Sequence, residues 1–266
     1  MNIRSIKDVH LGSGLIGIGR SWGHIVSPIP EEKDVTDFLS LAVKLGILYF
    51  DTAASYGSSE ERLGIFLDTL SPAKRNKLII ATKFGDHWDP EKKEAYVDHS
   101  FEALKISLDT SVHSLKQIDL LYLHKAQMQV LQSKDVAKAF AYAKSLGIQC
   151  FGASVSDLAS ARYVVQNDFY SVIQLPYNMD NAIFADSIDE ATKKGKIVVI
   201  NRPFNMGNLL YEKNKGDEHQ FKIEAYKFIL KKQFNGFILT GTKSSEHLQE
   251  NYHSFTHAKK LIDNEK

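Results

Sequence analysis

The feature that most constrains the fold is a repeated alternation between short apolar, β-rich runs and segments with helical periodicity. Alternation of this kind is typical of βαβ units, whose strands lie parallel in one sheet. Eight runs are predicted to be strands: Leu15 to Ile18, Ile47 to Asp51, Leu78 to Lys83, Asp119 to His124, Cys150 to Ser154, Val172 to Gln174, Ile197 to Asn201 and Gly236 to Leu239. Eight strands with helices between them indicate a closed barrel or an open, doubly wound sheet.

The segments between these runs carry the signals of helices. In the segment after the first strand, one helical face is apolar and is formed by Val35, Phe38, Leu39, Ala42 and Leu45. Glycine accepts the left-handed conformation that ends a helix, and three predicted helices end at a glycine, namely Gly46, Gly147 and Gly195. An apolar strand follows each glycine within two residues, so helix and strand alternate along the whole chain.

Two features favour the closed barrel over the open sheet. No G-x-G-x-x-G follows the first predicted strand, as a dinucleotide-binding turn would require. The length of 266 residues is close to the ~250 residues typical of a (β/α)8 TIM barrel. We therefore predict an α/β fold in which residues 1–266 form a single barrel domain. The turn-like residues His10 to Gly14 are expected to belong to a hairpin that closes the barrel floor.

Charge and cysteine content exclude several classes of function. With 33 basic and 32 acidic residues, the net charge of +1 gives no large field for nucleic acid or an anionic membrane. The single cysteine, Cys150, provides neither a disulfide framework nor a thiolate metal site. The N-terminal residues Met1 to Val9 lack the apolar core of a signal peptide, and no later run approaches membrane-spanning length. We expect a soluble cytoplasmic protein that acts on a small molecule.

Polar residues stand at the ends of several predicted strands, where the active sites of (β/α)8 barrels lie. Strand two ends at Asp51, strand three at Lys83 and strand four at His124. Tyr56 lies in the loop just after strand two. In a barrel, an acid, an ammonium, an imidazole and a phenol would therefore meet at one mouth.

This set of side chains suits the reduction of a carbonyl. A phenol with a pKa of about 10 is a poor proton donor near neutrality, but a cation such as Lys83 lowers the pKa of Tyr56. Asp51 can keep Lys83 charged and oriented, while His124 can hydrogen-bond the carbonyl oxygen. No metal is needed. Because no protein side chain gives hydride to carbon, a nicotinamide cofactor is implied.

The segments that carry these residues resemble the aldo-keto reductase family over almost the whole chain. GILYFDTAASYGSSEERLG, from Gly46 to Gly64, is similar to the family signature with its aspartate and tyrosine. The lysine and histidine follow in the expected order in ATKFG and LLYLH. Four further segments lie where the family pattern places them, namely GLIGIGRSWG, FGASVSDLASARYVV, VIQLPYN and GTKSSEHLQEN.

The resemblance implies an NADPH-dependent reduction of an aldehyde, ketone or sugar carbonyl. Tyr56 would be the general acid/base, and the catalytic tetrad would be completed by Asp51, Lys83 and His124.

The resemblance also implies a site for NADP(H). Ser154 and Gln174 would hold the nicotinamide carboxamide, and Asn251 would lie at the adenine. Lys243 and Ser244 would contact the adenosine 2′-phosphate, with His247 nearby. A lysine suits a phosphate as a compact charge, and the free amides of a helix that opens at Ser244 also favour an anion. These features favour NADP over NAD.

Four residues, in three segments, depart from the family pattern. Val155 follows the serine of strand five where the family often has asparagine. Asn201 and Arg202 end strand seven where the family often has an aromatic residue that stacks on the nicotinamide, and Arg202 is placed among the cofactor-binding residues. His247 stands where the family often has arginine, which weakens the preference for NADP.

Structural interpretations compete with the functional ones. Alone, Asp51 could cap a turn, Lys83 could be a solvated strand end and His124 a core histidine. Trp22 and Trp88 follow strands one and three and are placed as residues that line the substrate pocket, although packing over the barrel rim fits them equally well.

Two other functions remain as alternatives to the reductase. A nucleotide-binding regulatory protein of the same fold would hold NADP(H) and turn over poorly. A metal-dependent barrel isomerase would use Asp51 and His124 as ligands, but the ammonium of Lys83 would repel a divalent cation at the same mouth. The intact tetrad positions favour the reductase.

Overall fold

The computed structural model describes residues 3–22, 28–212 and 217–265. Within these ranges, eight parallel strands close into a barrel, so the predicted (β/α)8 barrel is confirmed. The strands are β1 (Val9–Gly14), β2 (Tyr49–Asp51), β3 (Ile79–Phe84), β6 (Leu120–Leu123), β7 (Phe151–Ser154), β8 (Val172–Pro176), β9 (Ile197–Asn201) and β10 (Gly236–Thr240). They pair in the order β1-β10-β9-β8-β7-β6-β3-β2, and β2 closes the barrel on β1.

Helices surround the barrel, and short 3-10 turns lie at Ile3–Ser5 and Asn205–Gly207. An antiparallel hairpin of β4 (Asp86–Asp89) and β5 (Glu94–Val97) follows β3, and no strand was predicted there. The helices in the described ranges are α1 (Ile16–Gly19), α2 (Glu32–Lys44), α3 (Ser59–Asp68), α4 (Pro72–Arg75), α5 (Phe101–Leu115), α6 (Met128–Leu131), α7 (Lys134–Ser145), α8 (Leu158–Gln166), α9 (Ala185–Lys193), α10 (Asn208–Glu212), α11 (Glu218–Leu230) and α12 (Ser245–Asn264).

The prediction for the first strand was wrong. The apolar run Leu15 to Ile18 contributes to the short helix α1, and the residues His10 to Gly14, predicted to be a turn in a floor hairpin, lie in β1. β1 pairs in parallel with β10 on one side and with β2 on the other. Its sequence, VHLGSG, has the low β-propensity of a turn, so its neighbours in the barrel impose the extended conformation.

Two large rings explain why glycine is used inside the barrel. The phenol oxygens of Tyr49 and Tyr122 lie 2.9 Å apart, and both side chains are fully buried. A Cβ atom at Gly12 would lie 2.9 Å from the Tyr49 ring, and one at Gly152 would lie 2.6 Å from the Tyr122 ring. The glycines therefore leave the volume that the tyrosines fill. Because glycine is rare in strands, these positions make the strands harder to recognise from the sequence.

The core has two layers, as the closed barrel requires. The inner layer fills the barrel and includes Ile79, Ala81, Leu120, Val199 and Phe237. The outer layer lies between strands and helices, where the opposite faces of the strands pack on helix residues such as Phe38, Leu39 and Leu104. Three helices end at glycines with positive φ, as predicted, namely Gly46, Gly147 and Gly195.

No helix in the part of the chain that the structure describes has the length and the apolar character needed to cross a membrane.

Candidate active site

Alternation along the strands places polar side chains in one layer at the carboxyl end of the barrel. Ile79 and Ala81 belong to the inner core, so Lys83, two residues further on, also faces the barrel interior. The same period of two leads from inner-layer residues of other strands to polar residues at or just past their ends, namely Asp51, His124, Gln174 and Asn201. Residues from separate parts of the sequence therefore meet at one mouth.

Lys83 is the centre of the site and is fully buried. Its Nζ forms a close ion pair with Asp51 Oδ1, donates to the carbonyl oxygen of Thr52 at 2.8 Å and lies 3.4 Å from the Tyr56 hydroxyl oxygen. Burial is the largest single effect and would lower the pKa of Lys83, but the charges of Asp51 and Tyr56 and the hydrogen bonds to them together raise it. The amine is therefore a fixed cation directed at the phenol.

A chain of hydrogen bonds holds the other side of Asp51. Gln174 Nε2 donates to Asp51 Oδ2 at 2.8 Å, and Ser154 Oγ donates to Gln174 Oε1 at 3.0 Å. Burial raises the pKa of Asp51, and its interactions with Lys83 and Gln174 oppose that rise. Ser154 and Gln174, which the sequence analysis placed at the cofactor, thus support the ion pair of Asp51 and Lys83.

Tyr56 and His124 face the same space. Their rings lie 6.0 Å apart, edge to face. Burial raises the pKa of Tyr56, and Lys83 opposes the rise without cancelling it. The cation therefore acts in the expected direction, but burial has the larger effect and the phenol is protonated at neutral pH.

His124 is held as a neutral imidazole. Burial, with a further contribution from the charge of Lys83, places the pKa of His124 well below its usual value. Its Nδ1 is buried and lies 3.6 Å from Asp86 Oδ2, and it has no hydrogen-bond partner among the described residues. The His124 carbonyl oxygen accepts a hydrogen bond from the His99 ring at 2.9 Å, which fixes the backbone at the strand end.

These side chains open onto a cavity of about 610 Å³, within the size range of ligand pockets. Most of the predicted site residues line it, namely Trp22, Asp51, Tyr56, His124, Ser154, Gln174, Arg202, His247 and Asn251. Lys83, Trp88, Lys243 and Ser244 are not among the described residues that line it. Lys83 lies behind Tyr56, Trp88 belongs to β4, and Ser244 caps α12 by accepting from the His247 amide at 3.2 Å.

Two buried amide oxygens mark where a ligand with N–H donors would fit. Asn251 donates to Thr240 Oγ1 at 2.7 Å, but its Oδ1 has no partner among the described residues, and neither has Asn201 Oδ1. Both residues line the cavity. A buried acceptor without a partner costs about 1–3 kcal/mol, which a donor on the ligand would recover. The amide and amine groups of a nicotinamide dinucleotide fit these acceptors.

The backbone after β9 adopts conformations that non-glycine residues rarely adopt. Arg202, Asn205 and Met206 have φ values of +55°, +48° and +59°. Arg202 and Met206 line the cavity, and the Arg202 carbonyl oxygen accepts from Asn178 Nδ2 at 2.9 Å. Backbone strain of this kind concentrates at ligand-binding segments. It supports the placement of Arg202 in a binding loop.

Glu60 is a buried residue near the site that the sequence analysis did not identify. Glu60 lies on α3 behind the ion pair, accepts from Ser111 Oγ at 3.0 Å and forms a close hydrogen bond with Thr82 Oγ1. Burial raises the pKa of Glu60 to about 6. Its place in SSEER resembles an ordinary acidic first helical turn, so only the three-dimensional structure reveals that it is buried.

Replacing Glu60 by Gln is expected to change how stability depends on pH. The folded protein holds this proton more tightly than the unfolded chain, because the folded pKa of about 6 exceeds the usual 4.5. The contribution to the unfolding free energy is present below pH 4.5 and is lost as the pH rises through 6, by about 2 kcal/mol. Chemical denaturation should therefore give a flatter profile for Glu60→Gln, whereas exposed Glu61→Gln should keep the wild-type slope. An unchanged slope in Glu60→Gln would contradict this assignment.

No group of three or more His, Cys, Asp or Glu in the described ranges is arranged to hold a metal ion.

Three curated oxidoreductases are similar to about half of the chain. The chain is 33% identical over 129 residues to L-galactose dehydrogenase of Arabidopsis thaliana. The aligned segment makes up 47% of this chain and 38% of that protein. It is 32% identical over 139 residues to L-glyceraldehyde 3-phosphate reductase of Escherichia coli K12, and this segment makes up 50% of the chain and 38% of the reductase. An uncharacterized oxidoreductase of Bacillus subtilis is 30% identical over 149 residues, and this segment makes up 54% of the chain and 47% of that oxidoreductase. Each match thus spans less than half of the relative's own length.

Solved structures match over a larger share of the chain. A putative aldo-keto reductase from Pseudomonas aeruginosa superposes with a TM-score of 0.77 at 22% identity, covering 95% of this chain and 90% of that one. The holo form of an aldo-keto reductase from Bacillus halodurans gives 0.74 at 20% identity, covering 94% and 91%. These likenesses show the fold. The sequence model of the Aldo/keto reductase family matches residues 10–225, most of the chain, and the protein therefore belongs to this family.

Proposed function

We propose that the protein uses NADPH to reduce the carbonyl group of an aldehyde, ketone or sugar, with Tyr56 as the general acid/base. The observation that carries the proposal is the contact chain from Asp51 through Lys83 to Tyr56, whose phenol shares a cavity with His124. NADPH, when bound, would supply the hydride that the protein lacks. The members of this family generally use NAD(P)H.

The proton step follows from the charges around the phenol. Tyr56 is protonated at neutral pH and is therefore ready to donate to a carbonyl oxygen. Lys83, 3.4 Å away, stabilises the phenolate that remains, and Asp51 keeps the amine in position. The neutral ring of His124 hydrogen-bonds the same oxygen and orients it toward Tyr56.

The residues proposed to hold NADP(H) extend from the barrel mouth to the start of α12. Asn251 would accept from the adenine amine through its unpartnered oxygen, while Ser154 and Gln174 would meet the carboxamide. Lys243 and Ser244 would receive the 2′-phosphate, and the helix that Ser244 caps favours an anion there. His247 and Arg202 line the cavity between these ends. We propose that one domain over residues 1–266 carries the whole site.

The test of the proposed function is the oxidation of NADPH by a panel of carbonyl compounds, followed by absorbance in a stopped-flow instrument. The named relatives act on L-galactose and L-glyceraldehyde 3-phosphate, so small hydroxylated carbonyls belong in the panel. Oxidation that survives a chelator supports the reductase. If NADPH binds tightly and is not oxidised by any carbonyl, the protein is a nucleotide-binding protein of this fold.

Replacing Lys243 by Met is expected to weaken NADPH binding about tenfold, since a hydrogen bond to a charged group contributes about 1.5–3 kcal/mol. NADH lacks the 2′-phosphate, so its dissociation constant should not change. Fluorescence titration of the reduced cofactors measures both constants. Lys260→Met is the matched control, because Lys260 is exposed nearer the other end of α12. A parallel loss for NADH and NADPH would remove Lys243 from the phosphate site.

A further inference from the structure

Arg20 brings an unassigned cation into the reaction cavity. It follows α1 and lines the same cavity as Tyr56 and His124. Its charge opposes the rise in the pKa of Tyr56 and adds to the lowering of the pKa of His124, so the guanidinium acts on both groups. Neither the proton step nor the cofactor site described above uses this residue.

Both tryptophans of the chain hold the guanidinium. Its central carbon lies 5.4 Å from the centroid of the Trp22 ring and 5.2 Å from that of Trp88. Such cation–π contacts fix the position of an arginine without using its hydrogen-bond donors. The tryptophans predicted to line the substrate pocket therefore act together on Arg20, one from within the cavity lining and one from β4.

The donors of Arg20 are not consumed by the residues that the structure describes. Its Nε is buried and has no hydrogen-bond partner among them, and none of their carboxylates lies within 4.0 Å. The negative charge of Asp86 acts on the pKa of Arg20 from a distance, and the Asp86 carboxylate itself lies 3.6 Å from His124 Nδ1. Lys125 adds a second cation to the cavity lining near His124. Lys83 is already paired with Asp51, so among the described residues the cations Arg20 and Lys125 outnumber the one remaining carboxylate, Asp86, at the end where the carbonyl would react.

An arginine held between two rings at a cavity wall is suited to an oxyanion, because its planar fork of donors matches a carboxylate or a phosphate. On the basis of the proposed function, we propose that Arg20 binds the oxyanion of the substrate whose carbonyl meets Tyr56 and His124. The preferred substrates are then small anionic carbonyl compounds, and neutral aldehydes of the same size are poor ones.

The first experiment needs no turnover. Trp22 and Trp88 are the only tryptophans and both contact Arg20, so their fluorescence reports on this site. The NADP+ complex is titrated at constant ionic strength with malonate for the carboxylate and with inorganic phosphate for the phosphate. We expect a saturable change for at least one anion and a dissociation constant raised at least tenfold, toward roughly 100-fold, in Arg20→Gln.

The controls separate the site from general charge effects. Arg162→Gln removes an exposed arginine on α8 and should titrate as the wild type does. Arg20→Lys keeps the charge without the fork, and its intermediate affinity would be expected if Arg20→Gln folds poorly. No saturable change with either anion, or equal titrations for wild type and Arg20→Gln, would overturn the proposal.

The second experiment compares matched substrates. Succinic semialdehyde is assayed against butanal, and glyceraldehyde 3-phosphate against glyceraldehyde. We expect kcat/KM for one anionic partner to exceed that for its neutral partner at least tenfold, and Arg20→Gln to remove this preference mainly through KM. Neutral and anionic substrates reduced equally by the wild type would overturn the role of Arg20 and leave the reductase intact. If no carbonyl is reduced, the proposed function fails and the fluorescence titration alone decides the anion site.

Discussion

Replacing Tyr56 by Phe is expected to slow carbonyl reduction by roughly 100- to 10 000-fold, the usual range for a lost general acid. The substitution removes the hydroxyl that lies 3.4 Å from Lys83 Nζ and keeps the ring that faces His124. The cavity keeps its shape, so NADPH affinity should not change. Single-turnover oxidation of bound NADPH measures the chemical step directly.

Tyr96→Phe is the matched control, because Tyr96 is an exposed phenol on the hairpin strand β5. It should reduce carbonyls at the wild-type rate. A Tyr56→Phe enzyme that retains more than a tenth of the wild-type rate would show that the proton comes from another group, with His124 the next candidate.

Replacing Lys83 by Met should lower the free energy of unfolding by about 3–5 kcal/mol, the usual cost of removing one partner of a buried ion pair. Asp51 would remain in the barrel interior, where the neutral donor Gln174 does not balance its charge. Activity should also be lost, because the phenolate would lose the cation that lies 3.4 Å from its oxygen. Urea denaturation measures the change in stability, and NADPH oxidation measures the activity.

The double variant Asp51→Asn/Lys83→Met separates these two effects. It removes both charges, so most of the lost stability should return while the activity stays low. A stable Lys83→Met single variant would mean that water or protonation satisfies Asp51. A double variant with restored activity would show that the ion pair is not needed for proton transfer.

Most of the barrel could be predicted because its strands are rich in β-branched and apolar residues. Ile197 to Asn201 and Gly236 to Leu239 were recognised in this way, almost to their observed ends. β1 could not be recognised, because packing against Tyr49 requires glycine where a strand normally has a branched residue. The hairpin β4–β5 was missed as well; β5 is exposed throughout and has no buried face to produce an alternating pattern.

The same limit applies to the site. The shared position of Asp51, Lys83 and His124 at the barrel mouth could be predicted because each ends an apolar strand, which fixes both the end of the barrel and the direction of the side chain. Arg20 and Glu60 lie on or beside helices that follow strand ends, where the sequence does not distinguish a solvated charge from a buried one. The surroundings of both residues depend on segments that are far apart in the chain, such as Trp88 at Arg20 and Ser111 at Glu60.

The pair formed by Tyr49 and Tyr122 fills the barrel directly below Asp51, and Phe237 stacks on Tyr49 with ring centroids 4.2 Å apart. Among the described residues, aromatic rings therefore fill the barrel interior below Lys83. In the proposed mechanism each reduction would consume the Tyr56 proton, and the cavity at the barrel mouth would provide the route for its replacement. Reprotonation of Tyr56 would then be coupled to product release, because the proton and the product would share the same cavity opening.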